Sequence, residues 1–136
     1  VDLQELLLRV FALTKSWSSY EKPMKEYLNV AMEKNKLGTS ANVKWFAERL
    51  PRATELVVKQ LGTKPFHIRG PLNSSALDSV MCMVIEHLEK LPNDLGARYE
   101  KLKEDQSFRD STFSGTSDVA VLKGRFEIAS RHLIAK

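Results

Sequence analysis

The stretch 74-SSALDSVMCMVIEHLEKL-91 decides the fold. Leu77, Val80, Met81, Val84, Ile85, Leu88 and Leu91 recur at spacings of three and four, the period of a helix face turned to a core. Because the run VMCMVI (80–85) is apolar on every side, this helix is expected at the centre of the molecule. Its start has two candidate caps. Ser75 and Asp78 have capping-box spacing, with Asp where Glu is usual, and Asn73 is the alternative.

Helical periodicity continues on both sides. In VDLQELLLRVFALT (1–14), Leu3, Leu6, Leu7, Val10 and Phe11 form one stripe behind an N-cap at Asp2, which leaves Leu8 and Ala12 on the far side. A second helix runs from about Met24 to Lys34, with Pro23 suited to its first turn. After a loop at Leu37–Ser40, Thr39 or Ser40 caps a third helix that turns Val43, Phe46, Ala47 and Leu50 inward. Pro51 removes a backbone donor and predicts a kink or a fresh start; the continuation presents Ala53, Thr54, Val57, Val58 and Leu61 and ends at Gly62.

The loop GTKPFHIRGPLN (62–73) is anchored by Phe66 and Ile68. Beyond the central helix come Leu95–Glu104, a short turn around Phe108, and a last helix, capped from SGTSD (114–118), with Val119, Leu122, Phe126, Ala129 and Leu133 facing inward. No alternating β-branched run bounded by turns is present, so the reading is an all-α, single-domain bundle of about six helices over residues 1–136.

Composition narrows the function classes. The chain is 43% hydrophobic and 28% charged, ordinary for a globular domain, and no apolar run approaches the ~20 residues needed to cross a bilayer. A single cysteine, Cys82, sits in an apolar run and argues for a reducing, cytoplasmic setting. The net charge of +4 is unevenly placed, with eleven Lys and Arg against seven Asp and Glu in residues 1–68 and ten against ten in residues 69–136. Lys34, Lys36, Lys44, Arg49 and Arg52 therefore mark a weakly basic face, with DNA as a candidate partner.

Catalytic patterns are missing from the sequence, and no cofactor or metal is expected. His67, His87 and His132 are isolated, and Cys82 and His87 diverge by about 140° on one helix. Glu86 and Glu89 fall on the polar side of their helix, where carboxylates are solvated. The six glycines are scattered and form no phosphate-cradling loop. Trp45 and Phe46 are adjacent, so one of them points away from the core stripe; packing between helices or against an absent neighbour is the simpler account of it, and a stacking surface for a base beside Lys44 and Arg49 is the alternative.

Taken in order, these landmarks resemble a known family. ELLLRVFALTKSWSSYEKPMKEYLNVAME (5–33 with its flanks) is similar to the segment of GmrSD-type proteins that follows their N-terminal ParB/sulfiredoxin-like domain. The match rests on Arg9, Tyr20, Leu28, Asn29 and Met32, then Gly62 and Phe66, then Asn73 with Ala76, Leu77 and Asp78, then Phe108, and finally Thr116, Val121 and Arg125. The family's nuclease and nucleotide-hydrolysing residues lie in the N-terminal domain, whose Asp-Gly-Gln-Gln-Arg-type motif does not occur here. The resemblance thus implies a non-catalytic accessory or interaction module of a phage-defence nuclease, a piece of a longer chain. Its partner would be a ParB-like domain or a second copy. Arg9, Tyr20, Asn29, Asn73, Thr116 and Arg125 are its expected buried hydrogen-bond anchors, and Leu8 and Ala12 the expected exposed half of the joint.

Overall fold

The computed structural model describes residues 2–135 and is all-helical. Seven α-helices are formed among those residues: α1 (Leu3–Leu13), α2 (Met24–Lys34), α3 (Ala41–Leu61), α4 (Ser74–Glu86), α5 (Leu95–Glu104), α6 (Gln106–Ser111) and α7 (Val119–Leu133). Single 3-10 turns at Trp17–Ser19 and Leu88–Lys90 bridge α1 to α2 and α4 to α5.

Side-chain caps set most of the starts. Asp2 accepts from the Glu5 amide at 2.8 Å, Ser40 from Val43 at 3.2 Å, and Asp105 from Phe108 at 3.2 Å. For α4 the cap is Asn73, whose Oδ1 takes the Ser75 and Ala76 amides at 3.0 and 2.9 Å. The capping-box alternative fails because Asp78 turns into the protein. Asp118 holds the N-cap position of α7 without a side-chain bond to a backbone amide, so SGTSD starts this helix by its turn geometry alone.

Every residue of α4 from Ser75 to Ile85 except Leu77 is buried. Such a helix has no water face; α1, α3 and α7 surround it. It ends earlier than its sequence period suggests, at Glu86, and Leu88 and Leu91 reach the core only in part, from a tighter turn. α5 and α6 pack on α7, whereas α2 leans chiefly on α1.

Two helices are rotated from the faces their apolar residues predict. In α1 the buried set is Leu6, Arg9, Val10, Ala12 and Leu13, so Ala12 lies inside, Leu8 is half-buried, and Leu3 and Leu7 face water. In α3 the buried set is Phe46, Arg49, Ala53 and Val57, while Ala47, Thr54 and Val58 are exposed. Each rotation brings an arginine onto the core stripe. α3 also runs unbroken through Pro51, because Pro51 and Ala47, whose carbonyl loses its donor, both lie on the exposed side, where water can serve the vacant acceptor.

Helix α5 meets the end of α3 backbone to backbone. A Cβ added at Gly96 would stand 2.8 Å from the Gln60 carbonyl oxygen, whereas one at Gly124 in α7 would meet nothing within 4 Å. Gly96→Ala should therefore lower the unfolding free energy by about 1–3 kcal/mol through overpacking. Gly124→Ala should raise it by about 0.5–1 kcal/mol through helix propensity. Urea titrations of both variants test the pair; a gain at Gly96 would show that the α3–α5 contact is looser than its geometry.

Candidate functional site

The polar residues singled out in the sequence converge mainly on the interior. Asp78, in the second turn of α4, is fully buried and receives Arg9 Nη2 from α1 at 2.7 Å on Oδ2. On the other side Arg125 Nη2 of α7 lies 3.7 Å from Oδ1, an ion pair without a hydrogen bond. Arg125 Nη1 instead donates to the carbonyls of Ser111 at 2.8 Å and Thr116 at 3.1 Å, tying the loop before α7 to the helix centre. Two guanidiniums thus share one carboxylate out of contact with water. Burial pushes the Asp78 carboxyl above its ordinary value against the pull of Arg125 and Arg9, and pushes Arg125 below its own.

Three more anchors close the bundle around this triad. The Tyr20 hydroxyl, on a fully buried ring, donates to the Ser117 carbonyl at 2.7 Å. Asn73 caps α4 with its oxygen and donates its amide to the Thr112 carbonyl at 3.1 Å. Thr116 is half-buried and serves through its backbone carbonyl. Asn29 departs from expectation: it is exposed, because α2 turns Tyr27, Leu28 and Ala31 towards the protein and Asn29 sits one position further round.

The basic first half is not one surface. Arg49 is 8% exposed; its Nε donates to the Ile85 carbonyl at 2.8 Å and its Nη2 to Glu89 at 2.9 Å. Lys36 pairs with Glu33 at 3.1 Å, and Arg52 with Glu48 and Glu89. Among the described residues, Lys34 and Lys44 are exposed and join no ion pair. Phe46 is the buried member of the aromatic pair, and Trp45 is half-buried under Lys15 Nζ, 3.9 Å from its ring centroid, and Arg49 Cζ, at 4.6 Å. Both cations come from within the molecule, so the ring is no bare stacking platform.

The groups weighed for catalysis are also tied down. Cys82 is buried against the Val10 carbonyl and the Thr14 hydroxyl, and burial pushes its thiol well above the ordinary range, so it is no nucleophile. Glu86 is half-buried and not solvated as its helix face suggests; it accepts the Lys15 amide at 2.8 Å, and burial raises its carboxyl. Glu89 is held below the ordinary glutamate value by its hydrogen bond from Arg49. Among the described residues no group of three or more His, Cys, Asp and Glu is gathered to hold a metal ion. Among the described residues no helix is long and apolar enough to cross a membrane.

An open groove of about 480 Å³ lies between the end of α1, α2 and the start of α3. Its floor includes Phe11 and Phe46, which meet edge to face at 5.2 Å; Trp45 and Tyr27 stand on its walls. Tyr27 holds α2 at this distance, its hydroxyl sharing a 2.7 Å hydrogen bond with Ser16 Oγ and reaching the Ala12 carbonyl at 3.2 Å. Lys15 and Lys34 supply the charge, and no acidic side chain lines the groove. Lys15 has φ 66°, the left-handed residue just past the end of α1, where glycine would avoid a cost of about 1 kcal/mol.

Sequence reading missed this groove and the acid of the triad. Lys15 gave no signal because neither its backbone geometry nor its contact with Trp45 is a local property. Asp78 did carry one, an acidic residue in an otherwise apolar helix, but it was absorbed by the capping reading. Comparison with protein-family models, curated proteins and solved structures finds no match to this chain.

Asp78→Asn keeps the shape of the central side chain but leaves two buried guanidiniums without a counter-charge. The unfolding free energy in urea should fall by about 3–5 kcal/mol. Glu89→Gln, which removes the solvent-facing partner of Arg49, should cost far less. Comparable losses in the two variants would mean that the interior triad is not the dominant ionic contact.

Proposed function

We propose that this chain is a non-catalytic helical accessory module, as the resemblance to GmrSD-type proteins implies, packing on or regulating a ParB-like domain. One observation carries the reading. Among the polar landmarks of that resemblance, Arg9, Tyr20, Asn73 and Arg125 each make a hydrogen bond that ties one part of the bundle to another, although Arg9 Nε and Arg125 Nε and Nη2 make none. What such a pattern conserves chemically is a scaffold with a set shape, not a reaction centre. Leu3 and Leu7, one turn apart on the outer face of α1, replace Leu8 and Ala12 as the apolar surface for the joint.

The second reading, weak nucleic-acid binding, retains Lys34 and Lys44 but loses Arg49 to the interior. Two unpaired lysines are few for a site whose affinity comes from neutralising phosphates.

The coding sequence upstream of Val1 tests the module directly. An α/β domain with an Asp-Gly-Gln-Gln-Arg-type motif is expected there; a start codon immediately before Val1 would overturn the reading. In the joined protein, Leu3→Glu with Leu7→Glu should speed proteolysis between the two parts and leave the melting of the helical part unchanged. Fluorescence anisotropy with duplex DNA at low salt should show no saturable binding by the helical chain. A saturable complex abolished by Lys34→Glu with Lys44→Glu would favour the nucleic-acid reading.

A further inference from the structure

We propose that the groove between α1, α2 and α3 binds a small planar aromatic anion, held by Lys15 and Lys34 and packed against Tyr27 and the Phe11–Phe46 pair. The volume of about 480 Å³ lies within the range of small-molecule sites, roughly 300–1,000 Å³. Its chemistry is one-sided. Four aromatic rings line it together with two lysines, and there is no carboxylate among its lining residues. An apolar ligand would leave both ammonium groups unanswered, and a cationic one would meet like charge. A flat ring bearing a sulfonate, carboxylate or phosphate satisfies both halves of the surface.

Lys15 makes the case beyond shape. It occupies a left-handed backbone position that favours glycine, and its amide is anchored to Glu86 while its ammonium is carried over the Trp45 ring on the groove wall. A left-handed residue there ends the helix in the usual way; what Lys15 contributes to the groove is its ammonium. The same feature gives a clean test, because glycine at this position removes the ammonium and relieves the backbone together.

The probes are 8-anilinonaphthalene-1-sulfonate and its uncharged counterpart N-phenyl-1-naphthylamine, titrated into the chain and followed by calorimetry and by tryptophan quenching. The sulfonate should bind at one saturable site, roughly tenfold more tightly than the neutral amine. Lys15→Gly and Lys34→Glu should each weaken the sulfonate by roughly tenfold or more and leave the neutral probe unchanged. The melting temperature of Lys15→Gly should hold or rise, which separates lost binding from lost folding. Lys123→Ala, on α7 away from the groove, should change nothing. Equal affinity for the two probes, unchanged sulfonate binding in Lys15→Gly, or no saturable binding at all would overturn the proposal.

Discussion

The whole bundle is organised around a carboxylate with no access to water. Asp78 stands in the middle of the most enclosed helix and has to be met by positive charge, since an isolated ionised group there would carry a large desolvation penalty. Arg9 arrives from α1 and Arg125 from α7, so one side chain sets the rotation of two helices about a third. Arg125 then extends the constraint outward by taking the Ser111 and Thr116 carbonyls, which fixes the chain between α6 and α7. The ion pairs need not add much net stability; their larger effect is on register, because any other rotation of α1 or α7 strands a buried charge.

Arg49 shows the same logic at the edge of the core. It sits on the buried stripe of α3, sends its Nε to the open carbonyl of Ile85 near the end of α4, and meets Glu89 at the surface. A side chain that reads as surface charge thereby closes the C-terminal end of the central helix. The bond supplies a donor to a carbonyl that the end of α4 leaves open. The basic face suggested by composition dissolves as a result: its residues are divided between interior, surface ion pairs and two isolated lysines.

Helix α2 is governed differently. Leu28 is its one buried residue, and α2 is held mainly through Tyr20, Tyr27 and the end of α1. The gap left beside α3 is lined by Phe11, Tyr27, Trp45 and Phe46 and by the exposed Lys15 and Lys34. The groove thus lies beside the helix that buries the fewest of its residues among the longer helices.

Local pattern determined the class of fold, the positions of α2 and α5, the cap residue Asp2 and the burial of α4, because these depend on neighbours within a turn or two; it left Thr39 beside Ser40 and Ser75 beside Asn73 as caps, which the structure resolves to Ser40 and Asn73. The face of a helix is another matter. Counting apolar residues placed α1 and α3 wrongly by about one position, since a buried arginine is indistinguishable from a solvated one until its acceptor is known. Asp78 could be read as a cap, Arg49 as a nucleic-acid contact and Asn29 as an anchor for the same reason. The roles of Asp78 and Arg49 were decided only when partners 69 and 36 positions away in the chain came within hydrogen-bond distance, and that of Asn29 by the side of α2 that faces water. The groove belongs wholly to that level: Lys15 and Trp45, Phe11 and Phe46 share no local pattern, and only the packing of α1 against its neighbours brings them around one groove.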